Sequence, residues 1–139
     1  MTDAEPARFI RSRDDLEDYV AAFNGKNYAR QISYYHPDVM YKVGSLVINS
    51  PQGIADFYSD FHTYSKEVVR IGEFAMTGDT VAVTIPSYFA PFKDYTKHDL
   101  SFLAGQIYEF VTFGFYKLKG GQIWRIRTAR YAGTEADFK

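Results

Sequence analysis

Hydrophobic spacing changes its period once along this chain, near Glu67, from the ~3.6 residues of an amphipathic helix to the ~2 of a half-buried strand. Before the switch, Leu16, Tyr19, Val20 and Phe23 fall at i, i+3, i+4 and i+7, one apolar stripe. After it, Val69 and Ile71, then Val81, Val83 and Ile85, alternate with other residues. Helices are thereby confined to the first half and a meander of strands to the second. That segregation is the mark of an α+β fold, with the sheet curling around the helices.

The element boundaries follow from local chemistry. Ser12 and Asp15 resemble a capping box opening the first helix, and Asn24-Gly25 stops it. A short second helix carries Tyr28, Ile32 and Tyr35 on one side and is ended by Pro37. Residues 39–43 read as a strand, continued after Gly44 by 46–48. Ser50-Pro51 caps a third helix running to about residue 64, with Ile54, Phe57, Tyr58 and Phe61 inward. Gly78-Asp79 is a turn, and 91–104 is a long loop, expected at the mouth of any cavity and more mobile than the strands. Strands 106–119 and 122–131 meet at Gly120-Gly121. Residues 1–11 are expected as a loose arm, 12–132 as one domain and 133–139 as a frayed tail.

Composition narrows the function. The 139 residues suit a single domain, and the absence of cysteine removes disulfides, a thiol nucleophile and thiolate metal sites. Net charge is −1, from 16 basic and 17 acidic residues without a basic run, which argues against nucleic acid. No apolar stretch approaches the ~18 residues of a membrane span, and no signal-peptide layout opens the chain, so a cytoplasmic protein is expected. Three histidines on three separate elements give no metal-ligand spacing. Rings are abundant: 12 Tyr, 12 Phe and 1 Trp, 18% of the chain. They build either a core of large side chains or a pocket walled with aromatics for a flat, mostly apolar ligand.

Three stretches, "YVAAFNGKNYARQISYYHPDVMYKVGS", "SPQGIADFYSDF" and "FYKLKGGQIWRIRTARY", occur in an order that resembles the nuclear transport factor two-like superfamily. Its members include ketosteroid isomerases, scytalone dehydratases and SnoaL-like polyketide cyclases. The resemblance covers residues 14–131 and makes 12–132 one SnoaL-like domain. It implies a cone-shaped, mainly antiparallel sheet wrapped around three N-terminal helices, a cystatin-like α+β barrel. The mouth of the cone would admit a small hydrophobic molecule, and its outer face would form a homodimer. The implied activity is a cofactor-free isomerase, dehydratase or cyclase acting on a polycyclic metabolite of polyketide or terpenoid type. A non-catalytic binding or dimerisation module of the same fold is the alternative, and an accessory domain for protein transport or assembly is a third.

Carried through "YYHPDV" without gaps, the isomerases' hydrogen-bond-donating tyrosine falls on Tyr19. Their proton-shuttling aspartate falls on Val43, and their second acid near Phe113. Both acids are therefore missing, which removes ordinary steroid-isomerase chemistry. Other residues must move protons. Glu109 shares a strand phase with Val111, Phe113 and Phe115, and a glutamate in an apolar phase must find a partner or take up a proton. Its other reading is an end-of-strand carboxylate in solvent or a structural pair with arginine. His62, near the end of the third helix, is the second candidate base, against a surface histidine; His98-Asp99 could belong to a lid. Tyr19 and Tyr41 would supply the oxyanion donors. Tyr41, Phe57, Phe61, Phe113, Phe115, Trp124 and Arg130 are the expected substrate-binding residues. Trp124, Ile126, Thr128 and Arg130 share the presumed inner face of the last strand, and Arg130 could pair with Glu109 or with an anionic ligand group. Asp38 is expected to cap a turn, and only one of Tyr34 and Tyr35 to point inward.

Overall fold

The computed structural model describes residues 5–131, so the expected tail at 133–139 lies outside it, as do the first four residues of the expected arm. Helix α1 spans Arg13–Asn24 and buries the predicted stripe of Leu16, Tyr19, Val20 and Phe23. Asp14 and Asp15 occupy its first turn, where carboxylates complement the helix dipole. Ser12 makes no side-chain cap; Asp15 instead accepts the Arg11 N–H at 2.7 Å. The short α2, Tyr28–Ile32, is capped by Asn27, which accepts the Arg30 N–H. Helix α3, Pro51–Phe61, starts as its Ser50-Pro51 signature requires, with the Ser50 hydroxyl accepting the Gly53 N–H at 3.0 Å.

The strands are β1 (Tyr35–Val43), β2 (Leu46–Ile48), β3 (Ser65–Val69), β4 (Phe74–Thr77), β5 (Thr80–Pro91), β6 (Tyr108–Lys119) and β7 (Gln122–Tyr131). They form one seven-stranded sheet in the order β2-β1-β7-β6-β5-β3, with β4 also pairing β5. Every pair is antiparallel except β1 with β7. The sheet is a curved half-barrel wrapped around the N-terminal helices. Its core unites Leu16, Tyr19 and Phe23 of α1 and Ile54 and Tyr58 of α3 with Val39, Val81, Tyr116 and Ile123 of the strands.

Several expectations need correction. Strand β1 begins at Tyr35 and contains Pro37, so Tyr35 belongs to the sheet, and α2 has already ended at Ile32. Asp38 sits within this strand rather than capping a turn; its N–H is bound by His36 Nδ1 at 3.0 Å. Tyr34 and Tyr35 are both buried, one hydroxyl held by Asp18 and the other by Tyr19. Part of the expected arm is tied down: Ile10 is buried, and the Arg8 and Ile10 N–H groups donate to the Ser33 and Gly121 carbonyls.

The 91–104 loop packs through a second core, in which Tyr95 and Phe102 meet Phe61 and Phe89. Its other anchor is Gly44, in the left-handed region at φ +58, where a Cβ would collide with the His98 carbonyl. That carbonyl accepts the Ser45 N–H at 2.8 Å. Gly44→Ala should therefore both strain the turn and push the loop away, costing at least about 1 kcal/mol. A lowered denaturation midpoint in urea checks this; an unchanged midpoint contradicts it.

Candidate active site

The concave face of the sheet and the three helices enclose a cavity of about 200 Å³. Phe23, Phe57, Phe61, Phe89, Phe102 and Phe110 supply much of its wall. Lys42, Gly44, Thr128 and Arg130 are the exposed residues of the lining and mark where it meets solvent. Polar groups come from different elements: Tyr19 and Gln31 from the first two helices, Tyr58 from α3, and Tyr41, Lys42, Glu67, Ser87, Thr112, Tyr116, Thr128 and Arg130 from the sheet.

Among the described residues, Glu67 is the one carboxylate in this lining, and its side chain is 9% exposed. It is placed by the turn from α3 into β3. His62 closes α3 as its C-cap, and its Nε2 lies 3.0 Å from Glu67 Oε1. His62 Nδ1 lies 2.6 Å from the Tyr28 hydroxyl. A neutral imidazole satisfies both contacts, with Nε2–H donating to the carboxylate and Nδ1 accepting from the phenol. Burial pushes the Glu67 carboxyl above the ordinary glutamate value of 4.5, opposed first by the His62 hydrogen bond and also by the positive charge of Arg130. Loss of solvent lowers the Arg130 guanidinium, which the Glu67 charge partly restores. Arg130 rests on the Phe110 ring, 3.7 Å from its centroid.

The phenols form two further pairs. Tyr41 and Tyr58 share a hydroxyl contact of 2.9 Å. The Tyr19 and Tyr35 hydroxyls are 2.6 Å apart, and Gln31 Nε2 donates to Tyr35 at 3.2 Å. Burial raises Tyr19, Tyr41, Tyr58 and Tyr116, which keeps them neutral donors across the physiological range. The Tyr116 hydroxyl has no hydrogen-bond partner among the described residues, which leaves it available to a guest. Gln31 Oε1 is buried and likewise unpartnered among them.

A pH prediction follows from Glu67. Its folded pKa is raised, so the folded protein holds this proton to higher pH than the unfolded chain does. Its contribution to stability is therefore present below the ordinary value of 4.5 and falls as pH rises through the folded value. Urea unfolding of the wild type, relative to Glu67→Gln, should show this decline; a difference independent of pH refutes it.

Of the residues singled out from sequence, Tyr19, Tyr41, Phe57, Phe61 and Arg130 line the cavity. His62 does not line it but is bonded to Glu67, which does. Glu109, Phe113 and Phe115 are exposed on the opposite face of β6, and Glu109 therefore lacks the burial on which its assignment as a base rested. The inner phase of β6 is instead Phe110, Thr112 and Tyr116. The error was to assign the more apolar phase to the inside, although here that phase faces out. Trp124 is the extra residue of a bulge: Lys117 pairs with Arg125 and Leu118 with Ile123, leaving Trp124 unpaired and out of the lining. Lys119 and Arg125 approach its ring. Glu67 was overlooked, although it shares a phase with Val69 and Ile71 at the start of the alternation. Gln31 and Tyr116 gave no comparable signal. Among the described residues, no group of three or more His, Asp or Glu could hold a metal, and no helix is long and apolar enough to cross a membrane.

A half-barrel sheet closed by helices over an aromatic-lined cavity is the architecture of the nuclear transport factor two-like class. The sequence profile of the SnoaL-like domain matches residues 16–126, and the chain belongs to that family. No curated protein sequence matches it. Among solved structures, it resembles a candidate polyketide cyclase of Silicibacter sp. at 18% identity and TM-score 0.71, covering 94% of this chain and 95% of the other. A candidate polyketide cyclase of Xanthomonas campestris is 20% identical at TM-score 0.68, with 81% and 84% covered. An LEH-like epoxide hydrolase of M. tuberculosis is 14% identical at TM-score 0.65, with 84% and 79% covered. At these identities the likeness is one of fold.

Proposed function

We propose that the protein is a cofactor-free enzyme that moves a proton next to a carbonyl in a small hydrophobic metabolite, as an isomerase, dehydratase or cyclase. The observation that carries this reading is the buried Glu67 carboxylate, facing an aromatic cavity and hydrogen-bonded to His62. Burial raises the Glu67 carboxyl towards the range that general acid–base catalysis needs, while the His62 hydrogen bond holds it in place and opposes part of that rise. Glu67 takes the role first given to Glu109, and His62 tunes and orients it. Tyr19, Tyr116 or the Tyr41–Tyr58 pair would donate to the oxygen that becomes negative. Arg130, at the exposed part of the lining, would hold an acidic substituent. A volume of about 200 Å³ lies below the ~300–1,000 Å³ of drug-sized pockets, which favours a guest of one or two rings over a larger polycycle.

The test is proton exchange. One- and two-ring ketones and enones, such as β-tetralone, are incubated with the protein in D₂O and followed by NMR. Protein-dependent deuterium uptake beside the carbonyl supports the reading; binding without uptake by any of the ketones assigns the cavity to a binding module instead.

A second copy of the chain is the proposed partner, seated on the outer sheet face. Phe113 and Phe115 are 38% and 53% exposed there and offer apolar side chains for a second copy to cover. Sedimentation should give a dimer at micromolar concentration, and Phe115→Glu a monomer; a monomeric wild type refutes the interface.

A further inference from the structure

The same carboxylate is also connected outward. His62 is buried among the rings of Phe23, Tyr58 and Phe61, whose centroids lie 5.3, 5.6 and 5.9 Å from its own. Its side chain is 4% exposed, so its two nitrogens communicate only through what they bond. One bonds Glu67, on the cavity wall. The other bonds Tyr28, which belongs to a different surface. Tyr28 is half-buried and lines a groove of about 620 Å³ formed by α2, the first turns of α3 and the start of β1. That groove shares no lining residue with the cavity.

We propose that Glu67, His62 and Tyr28 form a proton relay joining the cavity to this separate groove, with Tyr28 as its solvent terminus. The inference rests on the reading of Glu67 as the group that moves protons. It addresses a need that reading creates: a ligand packed against the phenylalanine wall excludes water from Glu67, yet a reaction with net proton release or uptake must exchange with solvent. The contacts are short enough for transfer, 3.0 Å and 2.6 Å, and the Tyr28 ring is stacked on the imidazole at 5.8 Å and 20°.

The proton count closes. Inward, Tyr28 gives its hydroxyl proton to Nδ1 while taking one from groove water, and Nε2–H passes its proton to Glu67 Oε1. The result is a neutral carboxyl facing Nε2, with Nδ1–H facing Tyr28. Run backward, the carboxyl proton moves to Nε2, Nδ1–H returns to the phenol, and the phenol releases its own proton to the groove. No charge is left on the imidazole or the phenol after either passage. Tyr28 acts through His62 and is a positioning residue for the relay, without contact to the ligand.

Histidine-selective ¹⁵N labelling of the full chain tests this without a substrate, because each inward passage moves the His62 proton from Nε2 to Nδ1 and each outward passage moves it back. The two nitrogen signals should exchange places as Glu67 takes up and gives back its proton, and relaxation dispersion reads the rate of interconversion. Tyr28→Phe preserves the stacked ring and removes the hydroxyl; interconversion should slow by at least about tenfold, to the pace of local opening. Glu67→Gln cannot take the Nε2 proton and should abolish interconversion. A wild-type rate in Tyr28→Phe overturns the relay. A wild-type His62 that keeps its proton on Nε2 throughout overturns it too. Should Tyr28→Phe displace His62, seen as changed ring-proton shifts, Ala29→Trp decides: it roofs the groove that Ala29 and Tyr28 line, and unchanged interconversion with it refutes the proposal. Failure of catalysis on ketones would leave these rates measurable, so the two ideas fail separately.

Discussion

Glu67→Gln is expected to lower deuterium uptake into a responsive ketone by at least about a hundredfold, the low end of what a general base contributes. The substitution keeps length and shape, and the amide oxygen can still accept the His62 N–H that now ends at Glu67 Oε1. What it removes is the ability to take a proton. Ligand affinity, read by calorimetry, should change little because the aromatic wall is untouched. Activity within about threefold of wild type would remove Glu67 from the chemistry. No other carboxylate lines the cavity among the described residues, so the proton-transfer reading would fall with it.

Phe61→Ala is expected to cost about 3–5 kcal/mol, the upper range for emptying a core ring. Phe61 is 3% exposed and sits at the junction of α3, β5 and the 91–104 loop. Its ring meets Tyr95 edge-on at 4.9 Å and packs near Phe102 and Phe89 at 5.7 and 6.1 Å. Tyr95 and Phe102 are the two buried aromatics that seat the loop, and Phe102 also lines the cavity. The variant should therefore lose stability and ligand affinity together. Urea unfolding measures the first, with an unchanged slope distinguishing lost stability from a changed unfolded state. A cost under about 1 kcal/mol would mean that the loop holds itself through its own Tyr95–Phe102 bridge.

The helices were readable because their signals are local. The Leu16–Tyr19–Val20–Phe23 stripe and the Ser50-Pro51 start each need only a few neighbouring residues, and both appear where expected. The end of α2 was misplaced because Pro37 was taken as its stop, whereas the chain enters β1 at Tyr35 and carries the proline inside the strand. Part of the candidate site was readable in the same way. Tyr19, Phe57 and Phe61 lie on helix faces whose inward side is fixed by period, and Tyr41 on a strand next to a recognisable turn.

The order of elements and the α+β class were determined by the sequence alone, since period is a property of short windows; that many of the rings wall a cavity waited for the fold. Which phase of β6 faces in was decided only by tertiary structure. Val111, Phe113 and Phe115 are more apolar than Phe110, Thr112 and Tyr116, so hydrophobicity pointed the wrong way and carried Glu109 with it. A strand has two faces, and when both are apolar the choice is made by register with its neighbours, here Tyr116 opposite Val81 and Ile126. The bulge at Trp124 is likewise invisible along one strand, because it exists only as a mismatch between two. The pairing of Glu67 with His62, and of His62 with Tyr28, also waited for the fold. Tyr28 and His62 are 34 residues apart in the chain, and only the packing of α2 against α3 brings that phenol and imidazole to 2.6 Å.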